Sequence, residues 1–186
     1  MINISKPAVA IFGGSFDPPH KGHQEIVEKA TKVLDIDKVL VVPAYLNPFK
    51  TSSLASAKQR LEWSHTLFDN MKNVIVDDYE IREGKSTTTY KSVKHFKTKY
   101  NVKYLIIGSD NLSTLTKWHQ FEWLNKYLTW AVVTREGYTL DLSSLNNYVV
   151  IQLDANVSST NIRENKDLYS VDKKIKKSVK DILEGS

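Results

Sequence analysis

The sequence predicts an α/β fold: a doubly wound parallel sheet covered by helices on both faces, followed by a C-terminal helical segment. Short apolar runs alternate with amphipathic helical patterns along most of the chain, which is the order that gives parallel strands joined by helical crossovers. The first run, Ala8–Phe12, is continuously apolar, as expected of a strand buried on both faces. The 186 residues contain no repeat, low-complexity tract or clear linker. Residues 1–186 are therefore predicted to form one domain, with 155–186 as its C-terminal helical portion.

The individual elements follow from the hydrophobic period of each segment. Strands are predicted at Ala8–Phe12, Lys38–Val42, Val74–Val76, Tyr104–Gly108, Thr129–Thr134 and Tyr148–Gln152. Helices are predicted at Gly22–Leu34, Leu54–Asp69, Tyr90–Lys99, Phe121–Tyr127 and Asp172–Glu184. The predicted apolar face of the first helix consists of Ile26, Val27, Ala30, Val33 and Leu34. In such a sheet, ligands bind at the carboxyl ends of the strands, where the strand order reverses.

Composition and charge exclude several classes of function. The net charge of +5 suits anionic ligands or RNA, but the lysines of the last predicted helix are not interleaved with aromatic residues, so no nucleic-acid partner is expected. The absence of cysteine excludes disulfides, thiol catalysis and cysteine-ligated zinc. No apolar run is long enough to span a membrane and the N-terminus lacks a signal-peptide pattern, so we expect a cytoplasmic protein without a membrane partner. The sequence makes no prediction of the oligomeric state.

The most informative segment is Gly13-Gly14-Ser15-Phe16-Asp17-Pro18-Pro19-His20-Lys21-Gly22-His23, directly after the first strand. It predicts a strand, a glycine turn and a helix start, which together aim backbone N–H groups at one anion. The glycines allow a ligand close to the backbone, and the two prolines suit the turn and the first helical position. His20 and His23 lie on one helical face and can donate hydrogen bonds to phosphate oxygens. The residues alone thus indicate an anion site. The G-x-G-x-x-G and P-loop patterns are missing, which argues against hydride transfer and P-loop kinases.

This segment resembles the HxGH signature of the nucleotidyltransferase superfamily, whose members transfer a nucleoside monophosphate from a triphosphate to a phosphate-bearing acceptor. From Val9 to Arg163, the order of motifs is similar to that of bacterial nicotinate-nucleotide adenylyltransferases, also called deamido-NAD pyrophosphorylases. The resemblance implies a Rossmann-like sheet of the nucleotidyltransferase type. It also implies that ATP and nicotinate mononucleotide react to give deamido-NAD and pyrophosphate in NAD biosynthesis. Mg²⁺ would be carried by the ATP phosphates, with no protein metal site.

The resemblance also assigns residues to ATP and to catalysis. The implied catalytic residues are His20, His23, Lys50 and Arg163. The implied ATP-binding residues are Gly13, Gly14, Ser15, Phe16, Gly108, Asp110, Ser159, Thr160 and Arg163. Residues 158–163 form a Ser-Ser-Thr-x-Ile-Arg segment, which resembles the motif that holds the triphosphate in this superfamily. Its hydroxyls can also cap a short helix that begins around Thr160. Arg60 lies where the family places an arginine, and its role stays open.

The acceptor is assigned to a second set of residues. These are Thr88, Thr89, Trp118, His119 and Arg135. The threonines have an alternative role as caps of the helix that follows, and the register of Ser86–Thr89 is ambiguous by one residue. Trp118 offers a flat face for the pyridine ring, whereas Trp123 and Trp130 are predicted core. Arg135 precedes Glu136 where the family often has proline, and a solvated arginine is the alternative.

Other functions are weighed against this one. Pantetheine-phosphate adenylyltransferases share the first motif but typically have threonine where this chain has His20, and cytidylyltransferases usually end in a different arginine motif. A non-catalytic nucleotide sensor or RNA-binding module is the alternative from another class. The joint presence of His20, His23, Lys50 and Arg163 argues against it. The choice between nicotinate and nicotinamide mononucleotide stays open.

Overall fold

A computed structural model of the protein describes residues 5–48, 51–134, 137–153 and 158–185. These residues form a six-stranded, all-parallel sheet in the order β3-β2-β1-β4-β5-β6. The strands are β1 (Ala8–Gly14), β2 (Lys38–Pro43), β3 (Val74–Val76), β4 (Asn101–Gly108), β5 (Thr129–Val133) and β6 (Tyr148–Ile151). Because the strand order reverses between β1 and β4, the carboxyl ends of these two strands form the expected ligand crevice.

Seven α-helices and a 3₁₀ helix accompany the sheet in the described part of the chain. The α-helices are α1 (Lys21–Val33), α2 (Ala57–Phe68), α3 (Tyr79–Arg82), α4 (Thr89–Phe96), α5 (Phe121–Tyr127), α6 (Ser159–Asn165) and α7 (Lys173–Gly185). The 3₁₀ helix spans Ser109–Lys117. The predicted doubly wound fold is confirmed, including the short helix near Thr160. Neither α3 nor the 3₁₀ helix was predicted, because one turn of helix and the three-residue period of a 3₁₀ helix carry little of the 3.6-residue hydrophobic periodicity.

The two cores lie on opposite faces of the sheet, as the alternation of side chains along a strand requires. In β1, Ala10 and Phe12 face a cluster that includes residues of α1, α2 and α7. Val9 and Ile11 face a second cluster, built with residues of α4 and α5. Both faces of β1 are therefore covered, which explains its unbroken apolar sequence.

The predicted burial of one residue of α1 is wrong. Val33 ends the helix, and 58% of its surface is exposed. Leu34 follows in an extended conformation, and it is this residue that is buried in the core. The chain leaves the helix at this point, so the helical period no longer decides which side chain turns inward.

The C-terminal helix α7 docks on α2. Its apolar residues Ile175, Val179 and Leu183 are buried, and the indole N–H of Trp63 donates to Ser178 Oγ at 3.1 Å. The lysines between them lie on the solvent side. Among the described helices, none combines the length and apolar character that a membrane span requires.

Candidate active site

A cavity of about 540 Å³ opens at the carboxyl ends of β1 and β4. Its size suits a small ligand. The predicted site residues that line it are Gly13, Gly14, Ser15, Phe16, Thr88, Thr89, Gly108, Asp110, Trp118, His119, Ser159, Thr160 and Arg163. Segments that are far apart in the sequence therefore meet in one crevice. Lys50 and Arg135 lie outside the described residues, so their predicted contacts stay predictions.

The turn after β1 differs from the prediction. Gly13 and Gly14 continue the strand, and the residue with left-handed backbone is Phe16, at φ 48°. A Cβ on Gly14 would lie 3.2 Å from the Phe16 ring, so any larger residue there would require this ring to shift by a few tenths of an ångström. The prolines precede the N-cap, His20, and neither occupies the first helical position. Both prolines lie in the segment before the helix, and the expectation that one of them occupies the first helical position was wrong, because that position is Lys21.

The two motif histidines form a buried pair at the start of α1. His20 is the N-cap, and its backbone N–H donates to Nδ1 of His23 at 3.1 Å. The ring centroids lie 3.7 Å apart, and the His23 ring also contacts Phe12 and Phe16, both of which line the cavity. Because Nδ1 of His23 accepts a hydrogen bond, the proton of its neutral ring belongs on Nε2.

Arg60 holds two loops together, which answers the question that the sequence left open. Its guanidinium donates to the carbonyls of Ser15 (2.7 Å), Ala44 (2.6 Å) and Tyr45 (2.6 Å), and to that of Ala55 at 3.2 Å. The side chain is buried, and burial lowers its pKa although the nearby Asp17 carboxylate acts in the opposite direction. All of these hydrogen bonds go to backbone carbonyls, so Arg60 holds the loops that carry the site in position.

Asp17 anchors the same loop from a second side. Its carboxylate is buried and accepts from the backbone N–H groups of Leu54 (2.8 Å) and Ala55 (3.0 Å). Its backbone carbonyl accepts from Arg163 Nη1 at 2.6 Å. The loop that follows β1 is therefore held by hydrogen bonds to the segment just before α2 and to Arg163 of α6.

The Ser-Ser-Thr-x-Ile-Arg segment docks on the histidine-bearing loop. Ser158 caps α6 by accepting from the backbone N–H of Asn161 at 3.1 Å, which confirms the predicted cap. Ser159 Oγ donates to the carbonyl of Pro18 at 2.9 Å, and Arg163 Nη2 donates to Thr160 Oγ1 at 3.2 Å. The segment is thus bound to the loop at several points while it lines the cavity.

Another part of the cavity wall contains buried polar atoms that have no hydrogen-bond partner among the described residues. Thr88 is the N-cap of α4, yet its hydroxyl makes no capping bond, and its buried Oγ1 is one of these atoms. The indole Nε1 of Trp118 is likewise buried without a hydrogen-bond partner in the described part of the chain. Buried polar groups normally pair, and both of these atoms belong to residues that line the cavity, so they can bond to a molecule that enters it.

The tryptophans divide as the sequence suggested, with one exception. Trp130 is fully buried and donates to Asn125 Oδ1 at 3.0 Å, which confirms it as core. Trp118 both packs against that core and lines the cavity. Trp123 packs at the edge of the core, but Lys94 and Lys97 lie over its ring, so its predicted core placement was only partly right. Its place near the surface of α5 leaves the ring open to these lysines.

Glu80 is a cavity residue that the sequence analysis missed. It lies in α3 and is only 8% exposed, and it accepts a hydrogen bond from Ser92 Oγ at 2.5 Å. Burial raises its pKa to about 7, while the bond from Ser92 acts in the opposite direction. The signal that could have found it is weak: a single glutamate in a segment whose short helix was not predicted.

No metal cage is apparent in the described ranges. No three histidine, cysteine, aspartate or glutamate side chains there come together as a set of metal ligands. Asp110 is a carboxylate on the cavity wall that does not belong to such a set.

The chain is similar to known proteins over most of its length. A family model described as cytidylyltransferase-like matches residues 11–165. A probable nicotinate-nucleotide adenylyltransferase of Sulfurovum sp. (strain NBC37-1) is 62% identical over 179 residues, covering 96% of this chain and 95% of that protein. A protein of the same description from Campylobacter fetus subsp. fetus (strain 82-40) is 40% identical, covering 90% and 91%.

The fold is also similar to solved structures. Plasmodium falciparum nicotinic acid mononucleotide adenylyltransferase complexed with NaAD superposes with a TM-score of 0.77 at 22% identity, covering 96% of this chain and 95% of that chain. A putative nicotinate-nucleotide adenylyltransferase from Vibrio parahaemolyticus gives 0.65, also at 22% identity, with 95% and 97% covered. These likenesses confirm the predicted Rossmann-like sheet of the nucleotidyltransferase type.

Proposed function

The chain belongs to the nicotinate-nucleotide adenylyltransferases of the cytidylyltransferase-like family, and we propose that it joins ATP and nicotinate mononucleotide to give deamido-NAD and pyrophosphate. The observation that carries this proposal is one cavity lined by residues 13–16, by the end of β4 and by Ser158, Ser159, Thr160 and Arg163, with the His23 ring in contact with the cavity residues Phe12 and Phe16. The reaction is a step of NAD biosynthesis. The cytoplasmic location and the single-domain organisation stay predictions.

We assign the two ends of the cavity to the two substrates. The ATP end comprises Gly13, Gly14, Ser15, Phe16, Gly108, Asp110, Ser159, Thr160 and Arg163. The acceptor end comprises Thr88, Thr89, Trp118 and His119, with Arg135 retained from the sequence analysis. The support for this division is that Arg60 and Arg163 donate to backbone carbonyls of the loop that carries the first set, whereas Thr88 and Trp118 of the second set each bury a polar atom that has no hydrogen-bond partner among the described residues.

The mechanism is a direct in-line displacement. A phosphate oxygen of the mononucleotide attacks the α-phosphorus of ATP, the bond from that phosphorus to the bridging oxygen breaks, and pyrophosphate leaves. Catalysis comes from positioning and from charge stabilisation, without a covalent enzyme intermediate. His23, whose ring orientation is set by its bond from His20, stabilises charge on the α-phosphoryl group through Nε2–H. His20 contacts the ATP phosphates, and Lys50 and Arg163 neutralise the departing pyrophosphate.

Mg²⁺ enters as part of the substrate, MgATP. The donor set of the described residues fits this role, because no cluster of protein ligands would compete with the phosphates for the ion. The ion supplies charge neutralisation on the phosphates, and the histidines and Arg163 hold the nucleotide in place.

The test is pyrophosphate release with ATP and each of the two mononucleotides, nicotinate and nicotinamide. We expect a strong preference for the nicotinate form, measured as kcat/KM. Equal values for the two acceptors would refute the deamido assignment and leave the adenylyltransferase in place. Absence of pyrophosphate with either acceptor, together with salt-sensitive RNA binding, would favour the non-catalytic alternative.

A further inference from the structure

The acceptor end of the cavity contains an ionisable group that the proposed mechanism does not use. Glu80 lines the cavity together with Thr88, Trp118 and His119. This wall forms where α4 meets the end of the 3₁₀ helix, and the rings of Tyr90 and His119 lie 5.6 Å apart there. Burial of a charged carboxyl without a partner costs free energy, so a buried carboxyl on the wall of a ligand cavity suggests a role in binding the ligand.

The hydrogen bonding of Glu80 is one-sided. Oε1 accepts from Ser92 Oγ, and within the described ranges no further hydrogen bond to Glu80 is formed. Oε2 therefore remains for the ligand. In the acid form this oxygen carries the proton and donates; in the ionised form it only accepts.

We propose that Glu80 is a specificity-determining residue for the acceptor, which in its acid form donates a hydrogen bond to the carboxylate of nicotinate mononucleotide. In its ionised form it repels that carboxylate and accepts from the amide of nicotinamide mononucleotide. The preference for nicotinate therefore falls as Glu80 ionises. This inference rests on the proposed function and identifies the group that selects the acceptor.

The chemistry places this change near neutral pH, because burial raises the pKa of Glu80 to about 7. Other ionisable groups surround it. Tyr79 and His95 stack at 3.8 Å beside it, and burial is the main cause that raises the pKa of Tyr79 and lowers that of His95. The remaining charged or ionisable groups are Arg82 and Glu83 at the end of α3, Asp77 and Lys99 near His95, and Asp110, Lys117, His119 and Arg163 on the cavity.

The experiment measures kcat/KM for both mononucleotides from pH 6 to pH 8 and takes their ratio. Both acceptors carry the same phosphate, so its titration cancels. The protonated fraction of a carboxyl with a pKa of about 7 falls from about 0.9 to about 0.1 over this range, so we expect the ratio to fall about tenfold. In Glu80→Gln, a neutral amide that still donates, the ratio should stay at its pH 6 value.

Two further variants separate titration of Glu80 from a structural effect. Ser92→Ala removes the hydrogen bond that favours the ionised form, so the fall in the ratio should move to higher pH. Glu83→Gln, at an exposed carboxyl one turn away, should leave the profile unchanged. Histidines titrate in the same range, so His119→Gln serves as a second control, which should keep the pH dependence.

Calorimetry keeps the inference testable even where Glu80→Gln does not fold. At pH 8, binding of nicotinate mononucleotide to the wild-type protein should take up more protons than binding of nicotinamide mononucleotide. A ratio that is constant with pH, equal proton uptake for both acceptors, or an unchanged pH dependence in Glu80→Gln would overturn the inference. Each of these outcomes requires turnover or binding of the acceptors, so they differ from failure of the proposed function.

Discussion

The two ends of the cavity are built on opposite principles. At the ATP end, the loop after β1 is held by partly buried hydrogen bonds that its backbone carbonyls accept from Arg60 and Arg163, and by those that the Asp17 carboxylate accepts. At the acceptor end, polar atoms of Thr88 and Trp118 are buried without a hydrogen-bond partner in the described part of the chain. Under the proposed function, we expect the first arrangement to fix where charge develops on the phosphates. The second arrangement offers hydrogen-bonding groups to a ligand, and we expect it to determine selectivity.

Removal of the clamp at the ATP end should have the largest effect. Arg60→Ala leaves the carbonyls of Ser15, Ala44 and Tyr45 without this donor and deprives Asp17 of a nearby positive charge. We expect a loss of about 3–5 kcal/mol in the free energy of unfolding, the usual cost of removing one member of a buried charged network. Urea denaturation measures it. Lys58→Ala, at an exposed site of the same helix, is the control. A loss similar to that of the control would mean that the clamp is dispensable.

Removal of the His23 ring tests whether the ATP end acts in the transition state. We expect His23→Ala to lower kcat and kcat/KM together. The activation free energy should rise by about 2.7–4 kcal/mol, the usual value of one transition-state donor. Steady-state kinetics with saturating acceptor measures this, and a melting curve verifies folding. His65→Ala, at a half-exposed histidine paired with Asp69, is the matched control. A normal kcat with a raised KM for ATP would assign His23 to ground-state binding instead.

The buried Glu80 should make stability depend on pH at the acceptor end. Its pKa is about 7 in the folded protein, against 4.5 without burial, so the folded state holds a proton that the unfolded state releases between these values. Stability from this group is therefore present below pH 4.5 and is lost as the pH rises through about 7, by up to about 3 kcal/mol.

The measurement is the difference in unfolding free energy between Glu80→Gln and the wild type at several pH values. Contributions of other titrating groups cancel in this difference. It should grow in favour of Glu80→Gln from pH 5 to pH 8. A difference that does not vary with pH would show that Glu80 keeps its ordinary ionisation.

Truncation of Trp118 should have the smallest effect, confined to the acceptor. Loss of a stacking partner costs about 1–3 kcal/mol, so we expect Trp118→Ala to raise the Kd of nicotinate mononucleotide roughly five- to two-hundredfold. The Kd of ATP should change little. Trp118→Phe, which keeps an aromatic face but removes the indole N–H, separates stacking from hydrogen bonding. Because Trp118 also packs against the core, a large drop in Tm with unchanged acceptor affinity would make its role structural.

The strands and the main helices could be predicted because their signals are local. The unbroken apolar run of β1 and the 3.6-residue spacing of α1 arise from burial on a regular element, so they appear in neighbouring residues. Errors fell where the chain leaves a regular element. The glycine pair extended β1 rather than forming the turn, and Val33 at the end of α1 proved exposed.

The sequence by itself determined the alternating α/β order, the family and many of the residues that line the cavity, since its motifs follow strand ends that a parallel sheet brings to one edge. Only the tertiary structure decided what those residues bind within the protein. Arg163 reaches a carbonyl 146 residues away, and Arg60 one that lies 45 residues away. The burial of Glu80, and with it its raised pKa, likewise depends on packing between α3 and α4. Hydrogen-bond partners and burial are properties of the assembled fold, and no local pattern of residues encodes them.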